Sequence, residues 1–449
     1  MAKPLPILNP HAAGIDIGDT IHAVAVPPGT TEEPVRIFGT MSYDMLDIVI
    51  WLKKCSINTV AMESTGVYWK PLFSLLVREG FEVFLVNARQ VKNVNGRKTD
   101  QSDAAWLQQL HACGLLASCY LPDDEQEALR TLVRFRKVLL ADSARCVSRM
   151  QKSLELMNIK LHTVISDILG QTGRAIIEAI IRGERNAANF LPLVNARIKA
   201  DKATIERSLQ GTWRDEHLFT LSECYLLHKH YIERIAVCDQ QIEVQLSRYE
   251  AYRNDGVLNT GEDEIKQYQQ NKNRPKNGPR FNVRGYLRRI LKVDVLAIYG
   301  LSDIGGLQLL AETGTDMSKW PTAKHFVSWL NLCPNNKISG GKLISSRVMS
   351  KHPSMAGQAF RFAANAIQKS DHWLGDYFRR MKAKGGNKYA IVATANKIAT
   401  VYYNMVKSGT EFQPLDAGKH RNELKAAKIR YLERKLAQLQ SKEETTARD

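Results

Sequence analysis

The chain has 449 residues, 44% of them hydrophobic and 24% charged, so it is long enough for two or three domains with real cores. Lysine and arginine number 63 against 46 acids, a net charge of +17 that favours a polyanionic partner. Seven cysteines without a C-x-x-C pair or histidines at zinc spacing argue against a disulfide framework and a structural zinc. The opening MAKPLPILNPHAAG has proline where a signal peptide needs an apolar run, and no stretch approaches the roughly 20 apolar residues of a membrane span, so a cytoplasmic protein is expected.

From residue 13, AGIDIGDTIHAVAV is an apolar run broken by a Gly-Asp turn and then resumed, which predicts a β-hairpin. MSYDMLDIVIWLKKC predicts a helix, TVAMES a short strand, YWKPLFSLLVREG a second helix and FEVFLVNA a buried strand. GRKTDQSDAAWLQQL, residues 96–110, predicts a helix beginning near Thr99. Strands and helices alternating in this way indicate an α/β domain over residues 11–120.

From LPDDEQEALRTLVRF to residue 252 almost nothing reads as strand. DDEQEALRTLVRFRKVLLADSARCVSRMQKSLELM predicts one long helix. A second, HLFTLSECYLLHKHYIERIAVCDQQIEVQLSRYEA, places Leu218, Leu221, Tyr225, His228, Ile232, Ile235, Asp239, Ile242, Leu246 and Tyr249 at spacings of three and four. That is a coiled-coil seam, with His228 and Asp239 as register-setting polar positions, closing either within one chain or between subunits.

Residues 253–282 are rich in Gly, Asn, Gln and Lys and read as an extended loop or partly disordered insertion. From Lys266 to Lys292 there are nine Lys or Arg and no acid, with Tyr268, Phe281 and Tyr286 interleaved. Cations for phosphates and rings for bases make Lys272, Arg274, Lys276, Arg280, Arg284, Arg288 and Arg289 candidate nucleic-acid contacts. LKVDVLAIYGLSDIGGLQLLAETG predicts two short helices around a glycine turn, able to present backbone N–H groups to a phosphate. Between Asp316 and Asp371 the chain has no acid, and inside that run NNKISGGKLISSRVMSKHPS reads as a polar loop. MAGQAFRFAANAIQ and YAIVATANKIATVYYNMV predict helices, and KAAKIRYLERKLAQLQSKEE an amphipathic tail helix.

The chemistry concentrates in the acids and in the acid-free run. Asp100 and Asp103, three residues apart beside Arg97 and Lys98, fall on one face of a first helical turn. That placement also suits the positive end of a solvated helix dipole. Asp16 stands inside the first apolar run and Glu63 near the end of a strand, where α/β sheets build their sites. The oxygens of Asp16, Glu63, Asp100 and Asp103 suit hard cations, and two Mg²⁺ roughly 3.5–4 Å apart would clamp the attacking and leaving oxygens of a phosphodiester. GIDIGDT is also similar to the first phosphate loop of actin-like sugar kinases, but no second Gly-rich Asp-strand loop follows.

GIDIG, MESTGVYW, RKTDQSDA, LRTLVRFRKVLL, YGLSDIGGLQLLAETG and WLNLCPNNKISGGK together resemble the successive motifs of the insertion-sequence "one-ten" family of DEDD transposases, relatives of the Piv-type invertases. The resemblance implies an RNase H-like, RuvC-like α/β N-terminal domain over 11–120 and a helical coiled-coil middle over 121–252. A mainly α-helical serine transposase domain over 293–410 and a tail helix over 411–449 would follow, after a basic insertion over 253–292 that departs from the family's pattern. It further implies a site-specific recombinase that moves its own element, guided by a bridge RNA on donor and target DNA. The four acids would be Mg²⁺ (or Mn²⁺) ligands, and Ser339 the nucleophile of a phosphoserine intermediate. Tetramers would face the acidic site of one subunit with the serine domain of another. In NNKISGGK the two glycines would let backbone approach a phosphate, Lys337 and Lys342 would neutralise it, and Arg347 and Lys351 would clamp it. Ser345, Ser346 and Ser350 are further phosphate contacts. A metal-dependent nuclease or junction resolvase without a covalent serine, and an inert nucleic-acid scaffold, are the alternatives.

Overall fold

The computed structural model describes residues 6–64, 66–86, 103–253, 277–348 and 354–446. It divides into two compact units, Met1–Leu121 and Pro122–Asp449.

The first unit is built on β1 (Ala12–Ile17), β2 (Ile21–Ala25), β3 (Val35–Gly39), α1 (Ser42–Lys54), β4 (Thr59–Glu63), α2 (Trp69–Arg78), β5 (Glu82–Val86) and α3 (Asp103–Ala112). Its sheet runs in the order β3-β2-β1-β4-β5. β1, β2 and β3 pair antiparallel, while β4 and β5 lie parallel to β1, which is an RNase H-like arrangement. The expected hairpin is β1–β2, closed at Ile17 and His22. β3 was not expected: VRIFG follows PGTTEEP and is an edge strand with most of its residues exposed, so no apolar alternation announces it.

Alternation sets the two faces of the sheet. Ala13, Ile15 and Ile17 of β1 and Val60 and Met62 of β4 face a core shared with Ile48 and Leu52 of α1 and Leu72 and Leu76 of α2. On the other face Ala61 and Val86 pack with Leu107 and Leu110 of α3.

The second unit opens with α4 (Asp124–Leu156), capped by the Asp123 side chain and acidic through its first turn, which favours the positive helix end. It packs against α8 (Asp215–Arg253) within the chain. Gln245 with Glu125, Asp239 with Arg136 and His228 with Ser143 fix an antiparallel pair. Leu221, Tyr225, Ile235, Asp239, Ile242, Leu246 and Tyr249 are buried as the heptad spacing predicts. Between the two long helices, α5 (Leu161–Val164), α6 (Gln171–Ile181), a 3-10 turn and α7 (Lys202–Ser208) cover their far ends with a second core. That core includes Ile176, Ile177, Phe190 and Ile205.

The rest comprises α9 (Val283–Leu291), α10 (Asp303–Thr313), α11 (Ala323–Trp329), a hairpin of β6 (Pro334–Ser339) and β7 (Lys342–Val348), α12 (Met355–Ala366), α13 (Trp373–Ser408) and α14 (Ala417–Thr446). Phe326 of α11, Phe360 of α12 and Tyr402 of α13 meet at its centre. Three local readings are corrected. The end of the basic stretch is helix α9, because Val283, Leu287, Ile290 and Leu291 give it a buried face. Residues 334–348 are strands and not loop, and the first of the two short helices is only a 3-10 turn at Val295–Ala297.

Candidate active site

The parallel register of β1 and β4 runs from Ala12↔Thr59 to Ile15↔Met62. One residue further stand Asp16 and Glu63, at neighbouring strand ends on the face opposite Ile15 and Met62, and both are half-buried. α3 lies across this face. A Cβ on Gly14 would come within 2.3 Å of the Ala104 carbonyl oxygen and of the Gln108 nitrogen, so the helix backbone rests directly on β1 and only glycine fits.

The direction of α3 is fixed at its other end. Leu8 and Asn9 donate backbone hydrogen bonds to the Ala112 carbonyl, and the Gln108 amide donates to the Ala12 carbonyl at 3.2 Å. Buried His111 lies with Nε2 2.8 Å from Thr59 Oγ1, at the start of β4. The C-terminus of α3 is thus at the beginning of β1 and β4, and its first residue, half-buried Asp103, is toward the end that carries Asp16 and Glu63. Asp100, Arg97 and Lys98 lie outside the described residues.

Ser339 belongs to the second unit. It ends β6, pairs with Lys342, and is joined to it by Gly340 (φ 54°) and Gly341 (φ 75°). Positive φ at both central residues is the two-residue turn whose twist matches a hairpin, so the glycines make the turn itself. Ser339 and Lys342 are exposed, as is Ser346, while Ser345 is half-buried. Lys337 lies on β6 and Arg347 on β7. Ser350 and Lys351 lie outside the described residues.

The other expected nucleic-acid contacts are divided. Arg280 and Arg288 are exposed. Arg284 pairs with Asp294 of the same unit, Nε to Oδ2 3.1 Å. Arg289 is held by buried Glu250 of α8 at 2.7 Å and lies over the Tyr286 ring. Phe281 is buried edge-on to Tyr286, whose hydroxyl is 3.0 Å from that of Ser247. Tyr286 thus ties α9 to the long helix through its hydroxyl, and Phe281 is buried against Tyr286, which takes Phe281 out of reach of a base. Tyr268, Lys272, Arg274 and Lys276 lie outside the described residues. At α10 the N–H groups expected to meet a phosphate are used internally: Gly305 donates to Ser302 Oγ and Gly306 to the Ser302 carbonyl.

Some residues that organise these parts escaped the sequence reading. Glu312, buried at the end of α10, accepts from Arg130 Nε at 3.0 Å and from Arg134 Nε at 2.7 Å. No local pattern links residues about 180 positions apart. Gly14 did leave a signal, since an isolated glycine inside an apolar strand marks a close backbone approach.

A DEDD-type IS110 model, described as a transposase, matches residues 13–159. A second, described as the transposase of the IS116/IS110/IS902 family, matches residues 294–379. The chain belongs to the IS110 transposase family. No curated protein matches it. The first match of this IS110 transposase spans the four acids and the second spans Ser339. The family cuts and recombines DNA, and a DEDD domain implies dependence on a divalent metal. Carboxylate oxygens at one sheet end are the right donors for a hard cation. Among the described residues, however, no three His, Cys, Asp or Glu group closely enough to hold an ion, so Asp16, Glu63 and Asp103 do not by themselves complete a centre. No described helix is long and apolar enough to cross a membrane.

Proposed function

We propose that this IS110 transposase is a site-specific recombinase that moves its own insertion sequence through a covalent phosphoserine at Ser339. The observation that carries the reading is the placement of Ser339 beside Lys342 at an exposed, glycine-closed hairpin tip, in a run of chain without acids. Ser339 Oγ attacks the scissile phosphorus, loses its proton, and forms a phosphoester as the bond to the 3′-oxygen breaks. That oxygen leaves as a 3′-hydroxyl. The ester count is unchanged, so strand exchange can run in reverse without ATP. A hydroxyl is a poor nucleophile at neutral pH, and no histidine is next to Ser339 in sequence. The Lys342 ammonium, its cross-strand neighbour, supplies charge to the phosphate oxygens.

Asp16, Glu63, Asp100 and Asp103 would hold Mg²⁺ or Mn²⁺, which when bound supplies charge neutralisation at the phosphate and a lowered pKa for a coordinated hydroxyl. A bridge RNA pairing with donor and target DNA is the proposed guide, supported by the net charge of +17. The proposed assembly is a tetramer in which the acids of one copy serve the serine of another.

Trapping tests the covalent step. Labelled duplex carrying the element end should give a denaturation-resistant protein–DNA adduct with the wild type and none with Ser339→Ala. Nicking by Ser339→Ala at the wild-type rate, with no adduct from either protein, would establish the nuclease reading in its place.

A further inference from the structure

The hairpin that carries Ser339 has a second face. Directly paired residues share a face of a β-ribbon and neighbours alternate, so Ser339 and Lys342 stand on one side and Ile338 and Leu343 on the other. The register then slips, Lys337 pairing with Ser345, which leaves Ile344 as a bulge beside Leu343. Ile338, Leu343 and Ile344 are 65%, 58% and 68% exposed. Three large aliphatic side chains in water at the tip of a two-stranded ribbon favour some apolar surface to enter. The hairpin itself holds Lys337, Lys342 and Arg347 and no acid. Lys342 stands on the Ser339 side, so the ribbon offers a cation on one face and aliphatic side chains on the other, which suits a partner with apolar and anionic parts side by side, as stacked bases beside their phosphates are. A two-stranded ribbon also fits a DNA groove.

We propose that Ile338 and Leu343, with Ile344 behind them, form a wedge that enters the base stack beside the scissile phosphate while Ser339 and Lys342 face that phosphate. Aliphatic side chains inserted in this way unstack a base step and kink the duplex. The position next to the scissile phosphate rests on Ser339 being the nucleophile; the unstacking does not. One ribbon would then open the step with one face and attack with the other.

The test uses full-length transposase, supplied with the transcript of its flanking non-coding DNA, and duplex carrying 2-aminopurine on either side of the scissile phosphate. Binding by the wild type and by Ser339→Ala should raise fluorescence equally. The double variant Ile338→Ser, Leu343→Ser should give no more than the rise that pairing with the guide transcript alone produces, and should form the adduct about tenfold more slowly on paired duplex. A mismatch at the same step should restore its adduct rate to the wild-type level, which a misfolded variant could not show. Equal unstacking by wild type and double variant would overturn the wedge. So would a smaller assembly mass for the double variant with unchanged fluorescence, since the apolar face would then be a protein contact. Absence of an adduct from the wild type, with unstacking that still depends on Ile338 and Leu343, would refute the nucleophile and leave the wedge standing.

Discussion

Gly14 and His111 decide whether the acidic end of the sheet has its geometry. Gly14 lets α3 touch β1, and Gly14→Ala drives a methyl against two backbone atoms 2.3 Å away that cannot rotate aside. A loss of about 1–3 kcal/mol is expected from such overpacking, read by chemical denaturation. Activity should fall further than stability explains, because α3 carries Asp103. His111 anchors the other end of the helix, and burial lowers its pKa from 6.5 to about 4. Between those values the unfolded chain binds a proton that the folded chain refuses, so stability falls as pH drops through 6.5 and levels off below about 4. His111→Gln should flatten that part of the unfolding free energy against pH; an unchanged slope would assign it to other groups. At this scale the sequence was informative where a residue broke its surroundings. Asp16 and Glu63 were visible as charges in apolar strands. His111 was silent, because a histidine in a helix looks alike whether buried or solvated.

Elements were legible in proportion to the regularity of their burial. The seam of α8 repeats from Leu218 to Tyr249, and its spacing alone located the face that meets α4. β6 and β7 expose most of their described side chains and so lack the alternation that marks a half-buried strand. Sequence also gave Asp239 as a polar seam position but not its partner. The structure pairs it with Arg136, whose Nη2 also donates to the Asn277 carbonyl at 3.1 Å, and both side chains are buried. Asp239→Ala would leave a guanidinium in the seam without its counter-charge, costing about 3–5 kcal/mol in denaturant unfolding. The double change Arg136→Met, Asp239→Leu should recover most of that loss, since burying an ion pair is itself expensive. If the double variant is as unstable as the single one, the pair contributes more than mutual neutralisation.

Over the whole molecule, the acids and the serine of one proposed reaction belong to different compact units, with the α4–α8 helix pair in the chain between them. Such a division allows the two halves of a site to come from one copy or from two, and a mixing experiment separates these cases. Asp16→Ala keeps a wild-type serine, Ser339→Ala keeps wild-type acids, and each alone should form no adduct. In an equimolar mixture of freely exchanging copies, a site drawing its acids from one copy and its serine from another is intact with a chance of about one half for each part, giving about one quarter of wild-type adduct. A site contained in one copy gives none at any ratio. All the adduct formed should be attached to the Asp16→Ala protein, which a size tag on either variant resolves by gel. Raised salt should suppress the mixture and the wild type alike, because both depend on the same cations meeting phosphates. Adduct on the tagged Ser339→Ala copy would mean that a residue other than Ser339 joins the DNA.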